Sequence, residues 1–214
     1  MCGIGTKWKQ PFYDDVEPIK LKEPLAEFLG AIDEGEEFIF TYTDAIKLAG
    51  HSCPAVSGAY KITQKALKAL YNNEIPMRGE IGVKVLGSVD NGANGPISQV
   101  ISLITGAAPQ TGFAGLGDKF VRRKKLIFDE KNEEPNAFVF TRIDNNKSVK
   151  ITYHPEKIPS EVDVSEYKEK LLDPDFSYAY FKDENFDQKS PYKEVPQCWE
   201  SPKWWLQRPQ CIGI

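Results

Sequence analysis

From Pro54 to Tyr71 the side chains Val56, Tyr60, Thr63, Leu67 and Leu70 step by three and four. That spacing lines one face of an α-helix and commits the chain to burying it. Pro54 sets a backbone angle suited to a first helical turn and lacks the amide hydrogen that would go unsatisfied there. Ser52 or Cys53 is then the N-cap. Lys61, Lys65 and Lys68 fall outside the apolar stripe and read as its solvated face. Ser57, Gly58 and Ala59 keep the first turns small, which admits a packed neighbour or a ligand.

The residues just ahead of this helix, Ala49-Gly50-His51-Ser52-Cys53-Pro54, are the most reactive stretch of the chain. The sequence holds two histidines and four cysteines, and one of each sits here, two residues apart. A thiol at a helix N-terminus meets the positive end of the macrodipole, which favours the thiolate that binds metals or attacks electrophiles. A neutral imidazole is the commonest metal ligand. The same residues also fit a plainer role, Cys53 as a small core residue and His51 as a hydrogen-bonded loop histidine.

Hydrophobic residues make up 41% of the chain and charged residues 27%, values of an ordinary globular protein. A net charge of −4 gives no reason to expect binding to nucleic acid or to anionic membrane. No apolar run approaches membrane-spanning length, so no membrane segment is expected. Met1 to Lys9 lacks the apolar centre of a secretory signal. Cysteines at 2, 53, 198 and 211 form no disulfide framework, and a cytoplasmic location is expected.

Residues 1–20 read as an irregular arm that packs through Trp8, Phe12 and Tyr13. Leu25, Phe28, Leu29 and Ile32 have helical spacing behind Pro24, Glu36 to Tyr42 reads as a strand, and Thr43-Asp44 caps a brief helix over Ala45 to Leu48. Glu80 to Leu86 is a strand that enters a polar, glycine-rich loop. Pro96 to Thr105 is a helix with Ile97, Val100, Ile101 and Ile104 inward and Gly106 as its stop. That loop matches neither dinucleotide nor phosphate-loop patterns, so no nucleotide is expected on it. A basic run, Arg122 to Lys125, precedes the strand Leu126 to Phe128. Ala137–Ile143 and Val149–Tyr153 alternate around Asp144-Asn-Asn-Lys147 as a hairpin. An acidic helix over Glu161 to Leu172 and a tail rich in tryptophan and proline from Tyr192 complete the chain. The expected class is α+β, a mixed or antiparallel sheet with helices packed on it, over residues 1–155 (core about 37–155), with 156–214 packed on the same domain.

The order of helix, Gly50-His51-x-Cys53-Pro54, helix with Gly58-x-Tyr60, strand, polar loop, helix ending Thr105-Gly106 and three strands resembles one family. It is similar to the FmdE-like family, named for a component of formylmethanofuran dehydrogenase, and to its stand-alone members, over about residues 37–155. The resemblance implies an α+β domain that pairs as a homodimer and binds a transition metal, usually zinc, with His51 and Cys53 as metal ligands. Zinc takes four ligands, or three with an open position. Further donors would come from Cys2, His154, Cys198, Cys211, Asp90, a second copy of the chain or the ligand itself. A second reading keeps His51 as the axial ligand of a haem or other planar cofactor, in a slot walled by Tyr60, Phe113 and Trp199. A third makes Cys53 a nucleophile with His51 as its base. A fourth is an interaction protein on the same fold whose metal site has decayed.

Overall fold

The computed structural model describes residues 5–8, 10–155 and 212–213. In chain order the arm makes a 3-10 turn at Pro11–Tyr13, then β1 (Ile19–Leu21), α1 (Pro24–Phe28) and β2 (Phe38–Phe40) follow. Next come α2 (Tyr42–Ala49), α3 (Pro54–Tyr71), β3 (Ile81–Val85) and α4 (Asn94–Thr105). The strands β4 (Leu126–Phe128), β5 (Ala137–Arg142), β6 (Ser148–Tyr153) and β7 (Ile212–Gly213) complete it.

The main sheet runs β4-β3-β5-β6-β7, with β3 and β4 parallel and the other pairs antiparallel. A parallel pair needs a long crossover, and the connection between β3 and β4 contains α4. The class is therefore α+β with a mixed sheet. β3 alternates fully buried with half-buried positions, so Ile81, Val83 and Val85 face the core. Phe138, Phe140 and Ile151 join them, and α3 and α4 close that face with Ile62, Leu70, Ile97, Ile101 and Ile104, all essentially without solvent contact. β1 and β2 form a separate two-stranded ribbon, Ile19 opposite Phe40. No helix among the described residues is long and apolar enough to cross a membrane.

Several local expectations hold. α3 spans the expected residues with Cys53 as N-cap, and α4 stops at Gly106 in the left-handed region (φ 74°). The hairpin turns through Asn146 at φ 58°, with Arg142 and Lys147 closing it by an N–H to carbonyl bond of 2.9 Å. The arm does pack, with Phe12 and Tyr13 in the core and Trp8 against it. Others change. Ile19 to Leu21 is a strand rather than part of an irregular arm. α2 is capped at Thr41, because Asp44 at the third helical position reaches back to accept the Thr41 N–H at 2.8 Å. α1 ends at Phe28 instead of running to Ile32, since Gly30 turns left-handed (φ 68°), and Phe28 and Leu29 stand 65% and 63% exposed. The expected helix over 161–172 and most of the tail lie outside the described residues; Ile212 and Gly213 pair with Tyr153 and Thr152.

A buried carboxylate ties these layers together. Glu23, at the cap of α1, accepts from Arg78 Nη1 at 2.5 Å and from Arg122 Nη2. Arg78 also donates to the carbonyls of Ile104 and Leu103 at 3.0 and 2.9 Å, occupying the free end of α4. Removing one partner of a buried charge group costs about 3–5 kcal/mol, because the remaining charge stays desolvated. Glu23→Ala leaves two guanidinium groups behind. It should lose about that much stability in urea unfolding, and a loss below about 1 kcal/mol would show that the cluster is not coupled to the fold.

Candidate functional site

The turn between α2 and α3 is fixed from both sides. Gly50 ends α2 in the left-handed region (φ 77°), its N–H donating to Ile46 O at 2.8 Å. Pro54 starts α3, and the Cys53 carbonyl accepts from both the backbone N–H and the hydroxyl of Ser57, each at 3.0 Å. Between them, Ser52 Oγ lies 2.7 Å from the hydroxyl of the fully buried Tyr42. The turn is thus anchored to the core by its middle residue.

That anchoring leaves His51 exposed, with Nδ1 at 3.0 Å from the carbonyl of Ala49. A carbonyl only accepts, so Nδ1 carries the proton. In the neutral ring Nε2 is then the lone-pair atom, turned away from this bond and free to ligate. Metal-bound histidines commonly have their other nitrogen held by a carbonyl in this way. Cys53 is half-buried, packs against the core and makes no side-chain capping bond. The turn therefore offers one nitrogen and one sulfur. Among the described residues no group of three or more His, Cys, Asp and Glu side chains is placed to hold a metal ion. Two such donors are fewer than the three or four that zinc takes.

The other residues singled out by sequence fall in different places. Tyr60 is in the core, its ring edge-on to Tyr42 at 5.5 Å and its hydroxyl shared between the carbonyls of Phe40 and Glu17 at 2.9 and 3.1 Å. Phe113 sits in the loop after α4, 44% exposed, where its carbonyl accepts from the N–H groups of Arg122 and Arg123. No hydrogen bond or ring contact joins Phe113 to His51, Cys53 or Tyr60 among the described residues. Trp199 lies outside the described residues, as do Cys2, Cys198 and Cys211. Asp90 is exposed in the loop before α4, and His154 is half-buried just after β6.

Sequence reasoning missed Tyr153. Its hydroxyl donates to Pro54 O at 2.7 Å, bringing the end of β6 to the start of α3. The signal was Gly58: a Cβ there would lie 2.5 Å from Tyr153 Cζ, so the small residue makes room for a ring rather than for a ligand. The chain matches no family model and no curated protein.

Burial pushes the hydroxyls of Tyr42 and Tyr60 well above the ordinary tyrosine range, against the opposing hydrogen bond from Ser52 in the case of Tyr42. The folded chain therefore keeps protons that the unfolded chain releases near pH ~10. Their contribution to stability is complete below that value and declines as pH rises through it. Above about pH 10.5 the phenolate absorbance of the folded protein should fall short of that of the denatured chain by at least two tyrosines. Tyr42→Phe should narrow the gap by one; an unchanged gap would place Tyr42 in contact with water.

Proposed function

We propose that the chain is a transition-metal-binding protein in which His51 Nε2 and Cys53 Sγ are ligands, a stand-alone relative of the FmdE-like family acting as a cytoplasmic homodimer. The observation that carries this reading is the bond from His51 Nδ1 to Ala49 O, which presents Nε2 outward beside a cysteine at a helix start. The order of elements around Gly50-His51-x-Cys53-Pro54 supports the family assignment, and the mixed sheet with α3 and α4 on one face is compatible with it. Zinc is the first metal to test, since one imidazole and one thiolate suit it. A bound zinc would supply a Lewis acid.

Two donors are too few for zinc, so a second copy of the turn is the simplest completion and gives the dimer a reason to form. An alternative donor among the described residues is His154, which directly follows Tyr153, the residue whose hydroxyl reaches Pro54 at the start of α3. The haem reading uses the same imidazole, but it has lost Tyr60 as a wall to the core.

Protein purified under reducing conditions should carry zinc, at about one ion per chain or per pair. His51→Ala and Cys53→Ser should each lose it while keeping the far-ultraviolet spectrum. Light scattering should return twice the 24.1 kDa chain mass, falling to one chain after chelation if the metal is shared. Full metal content in both variants would move the site elsewhere. A Soret band would favour haem, and a colourless, metal-free protein would leave the interaction protein.

A further inference from the structure

Away from the His51 turn, a groove of about 430 Å³ runs between the approach to β1 and the C-terminal half of α3. Its walls carry Lys61, Lys65 and Lys68, and its apolar floor includes Ile19 and Leu67, both core residues. The sequence alone makes these lysines a solvated face. In the structure Lys68 is exposed, but Lys61 and Lys65 are half-buried. Lys61 Nζ rests on the neutral Gln64 Oε1 at 2.7 Å, and Lys65 has a partner of its own.

The carboxylates that could neutralise this row are mostly committed elsewhere. Glu74, at one end of the groove, is paired with Arg142 at 3.0 Å. The lysine on the opposite wall, Lys20, is taken by Glu37 at 2.7 Å. Glu17 remains, its carboxylate accepting from Gln64 Nε2 at 3.1 Å. Among the described residues Lys61 and Lys68 therefore face one acid, Glu17, that is not already in an ion pair. Like charges at helical spacing repel one another. Burial pulls the Lys61 ammonium below the ordinary lysine range, Glu17 opposes this, and Lys65 and Lys68 add to it.

We propose that this groove binds a polyphosphate chain, free or carried by a nucleotide, with Lys61 and Lys68 as its principal contacts and Lys65 between them. At ~1.5 Å per residue the row covers about 10 Å of helix, and flexible lysine stems can converge on several oxyanions along it. Among the described residues no arginine lines the groove, so its contacts are ammonium point charges, which bind phosphate oxygens without a fixed two-point geometry. The volume lies within the range of small-molecule sites, about 300–1,000 Å³. Nor does an aromatic ring among the described residues line it, on which a base could stack. Affinity should follow the number of phosphates and ignore the base.

Calorimetric titration of the full chain at low salt with tripolyphosphate, ATP, GTP, AMP and an oligoglutamate separates the cases. Tripolyphosphate, ATP and GTP should bind with comparable affinity and AMP much more weakly. The double variant Lys61→Gln/Lys68→Gln should lose at least about tenfold. Lys47→Gln/Lys119→Gln, which removes the same charge from exposed positions elsewhere, should change little. Much tighter binding of ATP than of tripolyphosphate would show that a base is read and would overturn the stated ligand class. Equal binding of oligoglutamate would overturn it too, and equal losses in the two double variants would reduce the effect to net charge. Absence of tripolyphosphate binding at millimolar concentration would dispose of the site.

Discussion

Glu23 is the residue on which the arrangement of layers depends. It has almost no solvent contact, and its two carboxylate oxygens take guanidinium groups from two segments well apart in sequence. Through Arg78 it reaches the end of α4 and the ribbon, because the same guanidinium lies over the rings of Phe38 and Phe40 at 5.8 and 5.4 Å. Through Arg122 it reaches the loop that leads into β4. Desolvation draws Arg122 below its ordinary value, while Glu23 works against that. Among the described residues Arg122 Nη1 is buried without a hydrogen-bond partner. Such a cluster contributes less to net stability than to uniqueness of arrangement, since any slip of one layer strands a desolvated charge.

The backbone around the cluster is shaped to admit it. Gly79 and Gly106 are both in the left-handed region, at φ 85° and 74°, and a Cβ on either would run into the Arg122 guanidinium. Gly106 therefore does two things: it ends α4 and it leaves space for a charge. The sequence shows the first of these, because a glycine after an apolar helical stripe is a local signal. The second depends on Arg122, far along the chain, and has no local trace.

The same division runs through the rest of the chain. Elements set by periodicity and caps were legible: α3 from its stripe behind Pro54, α4 from Ile97 to Ile104, and the hairpin from its asparagine turn. Elements set by distant partners were not. Phe28 and Leu29 have helical spacing, yet Gly30 turns the chain before their stripe is long enough to meet a surface. β1 was invisible because so short a stretch carries no period, and only pairing with β2 makes it a strand. The candidate site divides likewise. Helix-start placement of Cys53 follows from Pro54, but the tautomer of His51 and the reach of Tyr153 to Pro54 are three-dimensional facts.

The backbone of the His51 turn is held by contacts to the core at Ser52 and Cys53. Ser52 is held by a tyrosine that is itself packed edge-on between Tyr13 and Tyr60, at 5.6 and 5.5 Å. Cys53 has its carbonyl tied twice to Ser57, which fixes the backbone at the start of α3. A free loop would have to lose conformational entropy on binding, about 1–2 kcal/mol for each residue fixed. Here much of that cost is met during folding, by contacts to the core. The metal proposed above would then bind without having to order this stretch of backbone. Choice among metals would therefore rest on whatever supplies the donors that the turn lacks.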